Sequence, residues 1–226
     1  PHWPLLLRNQ AYQILSREPA PSAPGTILIP SSGTSGNLKF CLHSLDTLLA
    51  AAHAYAERFS HAYSIITLPI YHVGGLMALF RAFVLKNTVL FDHYKSINSV
   101  PESFLKDATV SLVPTQLSRL VHDPAQHDTL KLIRYIIAGG AVFPLELKDA
   151  CKELSLPIVL SYGMTETAAM VTCLPKEAFL DGEFNCGYPL PHARISTEAD
   201  EVIVQADSNC LGRIPQDPDY AREHFH

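Results

Sequence analysis

The chain has 226 residues, 47% of them hydrophobic and 17% charged, which is enough apolar material for a packed core and too much for a disordered segment. A formal net charge of -5 without any block of Lys or Arg gives no basis for a nucleic-acid or anionic-membrane partner. No apolar run approaches the roughly 18 residues of a membrane span. No basic start with an apolar core and cleavage site appears either, so the expectation is a cytoplasmic protein. The five cysteines, Cys41, Cys151, Cys173, Cys186 and Cys210, are scattered and include no C-x-x-C pair. They read as buried free thiols rather than a disulfide framework or a zinc site.

Residues 1–15 hold an apolar cluster compatible with a short helix. Residues 17–25 carry three prolines and read as a linker. Thr26-Ile27-Leu28-Ile29-Pro30 is an apolar run with the length of a buried strand. It leads into Ser31-Ser32-Gly33-Thr34-Ser35-Gly36-Asn37-Leu38-Lys39, which packs two glycines, four hydroxyls and a lysine into nine residues. Glycine lets backbone N–H groups approach an anion, hydroxyls donate to phosphate oxygens, and Lys39 adds a point charge. The spacing is not that of a P-loop. On composition alone, the same residues also make an ordinary exposed turn.

Ser44 is placed to cap a helix running to about residue 59, with Leu45, Leu48, Leu49, Ala52 and Ala56 at helical spacing. Strands are expected at 64–68, 88–91, 109–113, 133–138 and 157–160. Helices are expected at 101–106, 116–122 and 144–154, and the very apolar stretch 75–85 reads as a buried helix or core segment. Strand and helix keep alternating, which predicts an α/β fold with largely parallel sheet covered by helices. Beyond residue 172 the alternation lapses, and only 201–205 shows a clean period of two. There is no internal repeat and no low-complexity tract.

Ligands of open parallel sheets bind beyond the carboxyl ends of the strands. Four reactive or glycine-rich stretches follow predicted strands: residues 31–39, Pro69-Ile70-Tyr71-His72-Val73-Gly74-Gly75, Ala138-Gly139-Gly140-Ala141, and Ser161-Tyr162-Gly163-Met164-Thr165-Glu166. That coincidence predicts one composite site.

Three of these stretches carry a family resemblance. Ser31-Ser32-Gly33-Thr34-Ser35-Gly36-x-x-Lys39 resembles the phosphate loop of the adenylate-forming superfamily of acyl-CoA synthetases, luciferases and adenylation domains. Tyr162-Gly163-Met164-Thr165-Glu166 is similar to its second signature, and Gly139-Gly140-Ala141 to its adenine-side loop. Within the superfamily, Ser111-Leu112-Val113-Pro114-Thr115-Gln116-Leu117-Ser118-Arg119-Leu120, Leu68-Pro69-Ile70-Tyr71-His72-Val73 and Gly187-Tyr188-Pro189-Leu190-Pro191 look most like the 2-succinylbenzoate–CoA ligases of menaquinone biosynthesis. The resemblance spans residues 26–206, between a 1–25 helix-and-linker segment and an irregular 207–226 segment.

The resemblance implies an ATP-dependent acid–CoA ligase using ATP, Mg²⁺ and coenzyme A on a small-molecule carboxylic acid. Ser31, Ser32, Gly33, Thr34, Ser35, Gly36 and Lys39 would hold the departing phosphates. Gly139, Gly140, Ala141, Tyr162, Gly163 and Met164 would flank the adenosine part. Thr165 would donate to the α-phosphate and Glu166 would hold Mg²⁺. His72 and Gly74 would line the acid pocket, with His72 counted with Thr165 and Glu166 as catalytic, and Arg81 would meet the acid's second carboxylate. Each of the charged or polar residues has a plainer reading beside this one: His72 a structural histidine, Arg81 a snorkelling surface charge, Glu166 a solvated loop carboxylate. His224 and His226 show no metal-ligand spacing.

The departures matter too. The family carries more chain before the phosphate loop. It also has a Thr-Gly-Asp-like ribose motif, a hinge and a lysine-bearing small domain after the core. None of these is found here, and Asp217 and Asp219 match no ribose motif. The expectation is therefore an N-terminal-type core, a fragment or a reduced member, that binds its ligands and turns over poorly. Alternatives from other classes are a nucleotide- or acyl-adenylate-binding protein without catalysis and an aryl or fatty acyl ligase.

Overall fold

A computed structural model describes residues 5–17, 25–31, 38–199 and 201–215. Most of the proline-rich linker, the heart of the hydroxyl loop (32–37), and Asp217, Asp219, His224 and His226 lie outside the described residues. The elements run α1 (Leu5–Arg17), β1 (Ile27–Ser31), β2 (Lys39–His43), α2 (Leu45–Ala56), β3 (Tyr63–Ile66), α3 (Val73–Leu85), β4 (Thr88–Phe91), α4 (Glu102–Leu105), β5 (Ala108–Leu112), α5 (Pro114–Val121), α6 (His127–Leu132), β6 (Tyr135–Ala138), α7 (Leu145–Glu153), β7 (Ile158–Met164), β8 (Ala169–Leu174), α8 (Lys176–Asp181), β9 (Tyr188–Pro189), β10 (Ala193–Glu198), β11 (Glu201–Ala206) and β12 (Gly212–Ile214).

Seven strands form the main sheet in the order β4-β3-β5-β6-β7-β8-β9. The first five are parallel, and β8 and β9 complete the sheet antiparallel. Alternate residues of the central strands point to opposite faces. Val110, Leu112, Ile136, Ala138, Ile158 and Leu160 pack with α5, α6 and α7 on one side. Ile137 and Val159 meet Tyr55 of α2 and Phe59 on the other, where α2 and α3 also pack together. Burial on both faces explains why these strands read as continuous apolar runs.

The chain leaves β3, adds β4 outside it, and returns to place β5 on β3's other edge. Loops leaving β3 and β5 therefore diverge, and the crevice between them is where an open α/β sheet takes its ligand. This is the feature of the fold that positions the site.

The expected α/β architecture is present, with local corrections. Ser44 does cap α2: its Oγ accepts the Thr47 N–H at 3.2 Å while Thr47 Oγ1 accepts the Ser44 N–H at 3.2 Å, a reciprocal box whose cap is typically worth about 1 kcal/mol. The run 26–30 is a strand but not one of the parallel sheet. β1 pairs antiparallel with β2, and β12 adds to β2's other edge. The strands that flank the hydroxyl stretch thus belong to a separate three-stranded sheet, and only three of the four glycine-rich stretches lie at carboxyl ends of main-sheet strands. Strands β2, β8, β9, β10 and β12 are additions to the sequence reading, β12 lying inside the stretch from 207 read as irregular. Among the cysteines, Cys186 is exposed while the other four are buried.

Candidate active site

The crevice between β3 and β5 holds a cavity of about 280 Å³ lined by Leu68, Pro69, His72, Val73 and Gly74 after β3, Ser111 to Val113 at the end of β5, and Arg81 from α3. Gly75 lets α3 start hard against the chain leaving β3, because a Cβ there would run into the Leu68 and Pro69 carbonyls. About two turns of helix then bring Arg81 to the cavity wall. Its side chain is 6% exposed, its guanidinium carbon lies 4.7 Å from the Tyr55 ring centroid, and its Nε has no hydrogen-bond partner. Among the described residues no carboxylate forms an ion pair with it. Burial pushes the Tyr55 phenol up to about 12 and raises the Cys173 thiol, so neither neighbour is an anion at neutral pH. Burial also lowers the Arg81 pKa, yet a guanidinium stays charged in proteins. The cavity wall thus carries a positive charge without a counter-ion among the described residues.

His72, the residue before α3, makes no side-chain capping bond. Its ring lies 4.7 Å from that of Tyr71, and desolvation at the cavity mouth holds it below its ordinary pKa. It is therefore a neutral imidazole at pH 7.

A second cavity of about 500 Å³ lies across β6 and β7, lined by Gly139 to Phe143, Leu160 to Gly163, and Phe184 to Cys186. The two cavities share Gly139, Gly140, Ser161 and Gly163, and so are two lobes of one cleft. The shared wall is thin because of glycine. A Cβ on Gly139 would strike both the side chain and the carbonyl of Ser161, and Gly140 sits at φ +80, in the left-handed region.

Beyond Gly163 the chain makes a tight turn at Thr165–Thr167. The Thr165 carbonyl lies 2.8 Å from His43 Nε2. A carbonyl can only accept, so Nε2 carries the proton, and burial keeps His43 neutral by lowering its pKa. The Cys210 N–H donates to the Glu166 carbonyl at 2.7 Å, and the Ser208 hydroxyl donates to the Thr167 carbonyl at 2.8 Å. Both flanks of the turn are thus tied to the small sheet through β2 and the approach to β12. The Glu166 carboxylate is engaged as well: its Oε1 is 2.6 Å from Arg213 Nη2, with both side chains about one-sixth exposed (15% and 16%). Ser31 and Lys39 face each other at the base of the hairpin, whereas Ser32, Gly33, Thr34, Ser35 and Gly36 lie outside the described residues.

The structure thus gathers His72, Gly74 and Arg81 in the smaller lobe, Ala141 and Tyr162 in the larger, and Gly139, Gly140 and Gly163 in both. Met164 lines neither, its N–H donating to Thr167 Oγ1 at 3.1 Å. Three residues had no signal in the sequence: Tyr55, which stacks on Arg81, His43, which holds the turn, and Arg213, which meets Glu166. Each acts on a partner far along the chain.

The AMP-binding enzyme family model matches residues 7–207. The chain belongs to the AMP-binding enzyme family. Among curated members of that family, the 2-succinylbenzoate–CoA ligase of Bacillus licheniformis is 33% identical over 185 residues, covering 77% of this chain and 37% of the relative. Among solved structures, the o-succinylbenzoate CoA synthetase of Bacillus subtilis in complex with ATP and magnesium superposes with a TM-score of 0.72 at 25% identity, over 87% of this chain and 44% of that one. The same protein with the acyl-adenylate intermediate gives 0.74 at 25%, over 84% and 42%. This chain spans about two fifths of the length of the family members it matches.

Proposed function

We propose that this cleft activates a carboxylic acid with ATP, as an acyl-adenylate, and passes the acyl group to coenzyme A. The acid is a dicarboxylate of the 2-succinylbenzoate kind. The observation that carries this reading is Arg81, a buried guanidinium with no ion-pair partner among the described residues, in the wall of a lobe whose other lining residues carry no charge at neutral pH. Burying an unpaired charge is costly, and a ligand that brings a carboxylate to it recovers a charge-assisted, bidentate contact. A fatty or simple aryl acid offers no such group and would leave the charge uncompensated, which disfavours those alternatives.

The larger lobe suits adenine. It has flat apolar walls from Tyr162 and Phe184 and backbone polar groups at Gly139, Gly140 and Ala141. The acid then lies in the smaller lobe with His72 and Gly74 at its mouth. In the first step a carboxylate oxygen attacks the α-phosphorus, the bond to the bridging oxygen breaks, and pyrophosphate leaves. In the second the coenzyme A sulfur attacks the acyl carbon and AMP leaves. The first step brings two anions together, so the protein must supply positive charge and alignment. Lys39 and the hydroxyl-rich residues from Ser31 to Gly36 take the departing phosphates, and Thr165 donates to the α-phosphate. Among the described residues no group of three His, Cys, Asp or Glu could hold a metal by itself. Magnesium carried by a nucleotide takes one or two protein carboxylates, with phosphate oxygens and water completing the shell. Glu166 fits that requirement as the protein ligand, and the ion would screen the phosphate charge. Small molecules in the cytoplasm are the partners this reading implies.

A sulfamoyl-adenosine mimic of the acyl-adenylate tests it by titration calorimetry. The 2-succinylbenzoyl mimic should bind in competition with both ATP and the free acid, and at least about tenfold more tightly than its fatty acyl counterpart, a gap of about 1.4 kcal/mol. Equal binding of the two mimics, or failure of ATP to compete, would overturn the proposal.

A further inference from the structure

We propose that Arg213 is a resident cation on the metal carboxylate, so that a nucleotide-borne magnesium gains Glu166 only by displacing a guanidinium. This rests on the reading of the cleft as an ATP site and adds a residue that sets its metal dependence. Glu166 is the carboxylate placed on the turn after the shared wall of the two lobes, and Arg213 Nη2 already sits 2.6 Å from its Oε1. That is a close charge-assisted contact, and the pair is largely withdrawn from water, so it is weakly screened.

Neither partner is free to drift. Arg213 is the middle residue of β12, paired opposite Cys41 of β2, and its neighbour Ile214 is buried against Leu38 and Phe40. The turn carrying Glu166 is fixed to that same sheet by His43 from the end of β2 and by the N–H of Cys210. The distance between guanidinium and carboxylate is therefore set by backbone pairing rather than by chance meeting of two long side chains. A guanidinium cannot be relieved of its charge by pH, so raising the pH does not remove the competition.

Two consequences follow from electrostatics. Without metal, Arg213 neutralises Glu166, and an incoming polyphosphate is not repelled by that carboxylate. With metal, the ion must exchange with the guanidinium, which weakens its hold on Glu166. Both effects flatten the dependence of nucleotide affinity on magnesium. Removing Arg213 should steepen it from both ends.

The measurement is the ratio of the ATP dissociation constants without and with saturating MgCl₂, taken by calorimetry on the full chain. It is compared in wild type, Arg213→Met, Arg213→Lys, Glu166→Gln and the Glu166→Gln/Arg213→Met double variant. Loss of one charged partner of this kind corresponds to about a tenfold change or more. The ratio should therefore rise about tenfold in Arg213→Met and less in Arg213→Lys. Arg213→Met should add nothing in the Glu166→Gln background, because the carboxylate in competition is gone. If thermal melting shows that Arg213→Met does not fold, the rise in Arg213→Lys decides the matter. ATP binding with the same ratio in wild type and the Arg213 variants would overturn this inference alone. No ATP binding by any of these proteins would overturn the reading of the site, and the inference with it.

Discussion

Replacing Arg81 with methionine separates a structural role from a recognition role, because the two predict opposite signs for the stability of the ligand-free protein. If Arg81 supports the fold, its loss should destabilise. The structure argues the reverse. Arg81 is 6% exposed with an unpartnered Nε and no ion pair among the described residues, so folding strips its hydration and returns one cation–π contact with Tyr55 at 4.7 Å. That contact is worth about 0.5–2 kcal/mol, while desolvating an unpaired ion costs several kcal/mol even after relaxation. Methionine fills a similar volume and carries no charge. The ligand-free variant should melt at the same temperature as wild type or higher.

Recognition should move the other way. A charged hydrogen bond in a dry pocket contributes about 1.5–3 kcal/mol, so Arg81→Met should bind 2-succinylbenzoate roughly ten- to a hundred-fold more weakly. It should bind the monocarboxylate 4-oxo-4-phenylbutanoate about as wild type does, since that acid keeps the ring and ketone but offers no second carboxylate. Differential scanning calorimetry supplies the first quantity and titration calorimetry the second. A variant that melts well below wild type, or that loses both acids equally, would show that Arg81 serves packing and would refute the reasoning.

Gly139→Ala places a Cβ against the Ser161 side chain and carbonyl; overpacking of this kind costs about 1–3 kcal/mol and should weaken nucleotide and acid together, and an unchanged melt with unchanged affinities would contradict the thin-wall reading. His43→Phe removes the donor to the Thr165 carbonyl, so ATP affinity should fall while the acid affinity of the smaller lobe stays, as two separate titrations would show. The buried His61 is held down to about 4 by desolvation against about 6.5 unfolded. As pH falls the unfolded chain takes the proton first, so its contribution is complete above 6.5 and drains between 6.5 and about 4, on the order of 2 kcal/mol by pH 5. Urea midpoints at pH 7 and pH 5 should converge in His61→Asn relative to wild type, and an identical drop in both proteins would rule this out.

What the sequence makes legible follows from which interactions are local. Strand β4 coincides with the apolar run 88–91, and β3, β5 and β6 lie within a few residues of expectation, because double-faced burial writes itself as consecutive apolar residues. The glycine pairs at 74–75 and 139–140 are legible for a similar reason: close backbone approach excludes a Cβ at Gly75 and Gly139, and a positive φ favours glycine at position 140. Strand β1 shows the limit. Its apolar run fixes the conformation, yet the partner is β2 across the hydroxyl loop, and nothing in five residues distinguishes an antiparallel hairpin from the edge of a parallel sheet. β12 carries even less, since three residues have no period to read and its place is set by pairing with β2.

The two arginines show the same contrast at the level of charge. Arg81 stands out in sequence because it interrupts an apolar stretch, and among the described residues no carboxylate matches its charge. Arg213 stands in an unremarked Gly-Arg-Ile, and the structure matches its charge with Glu166 at 2.6 Å. Removing an unmatched buried charge relieves the folded state, whereas removing one half of a matched pair strands the other half. Arg81→Met and Arg213→Met should therefore shift the ligand-free melting temperature in opposite directions, Arg213→Met downward. The ligand effect should also split by lobe: Arg81→Met should alter acid binding and leave the magnesium dependence of ATP binding alone, while Arg213→Met should do the reverse. The same crossing pattern follows from one physical distinction, whether each cation finds its anion within the chain or must wait for the ligand.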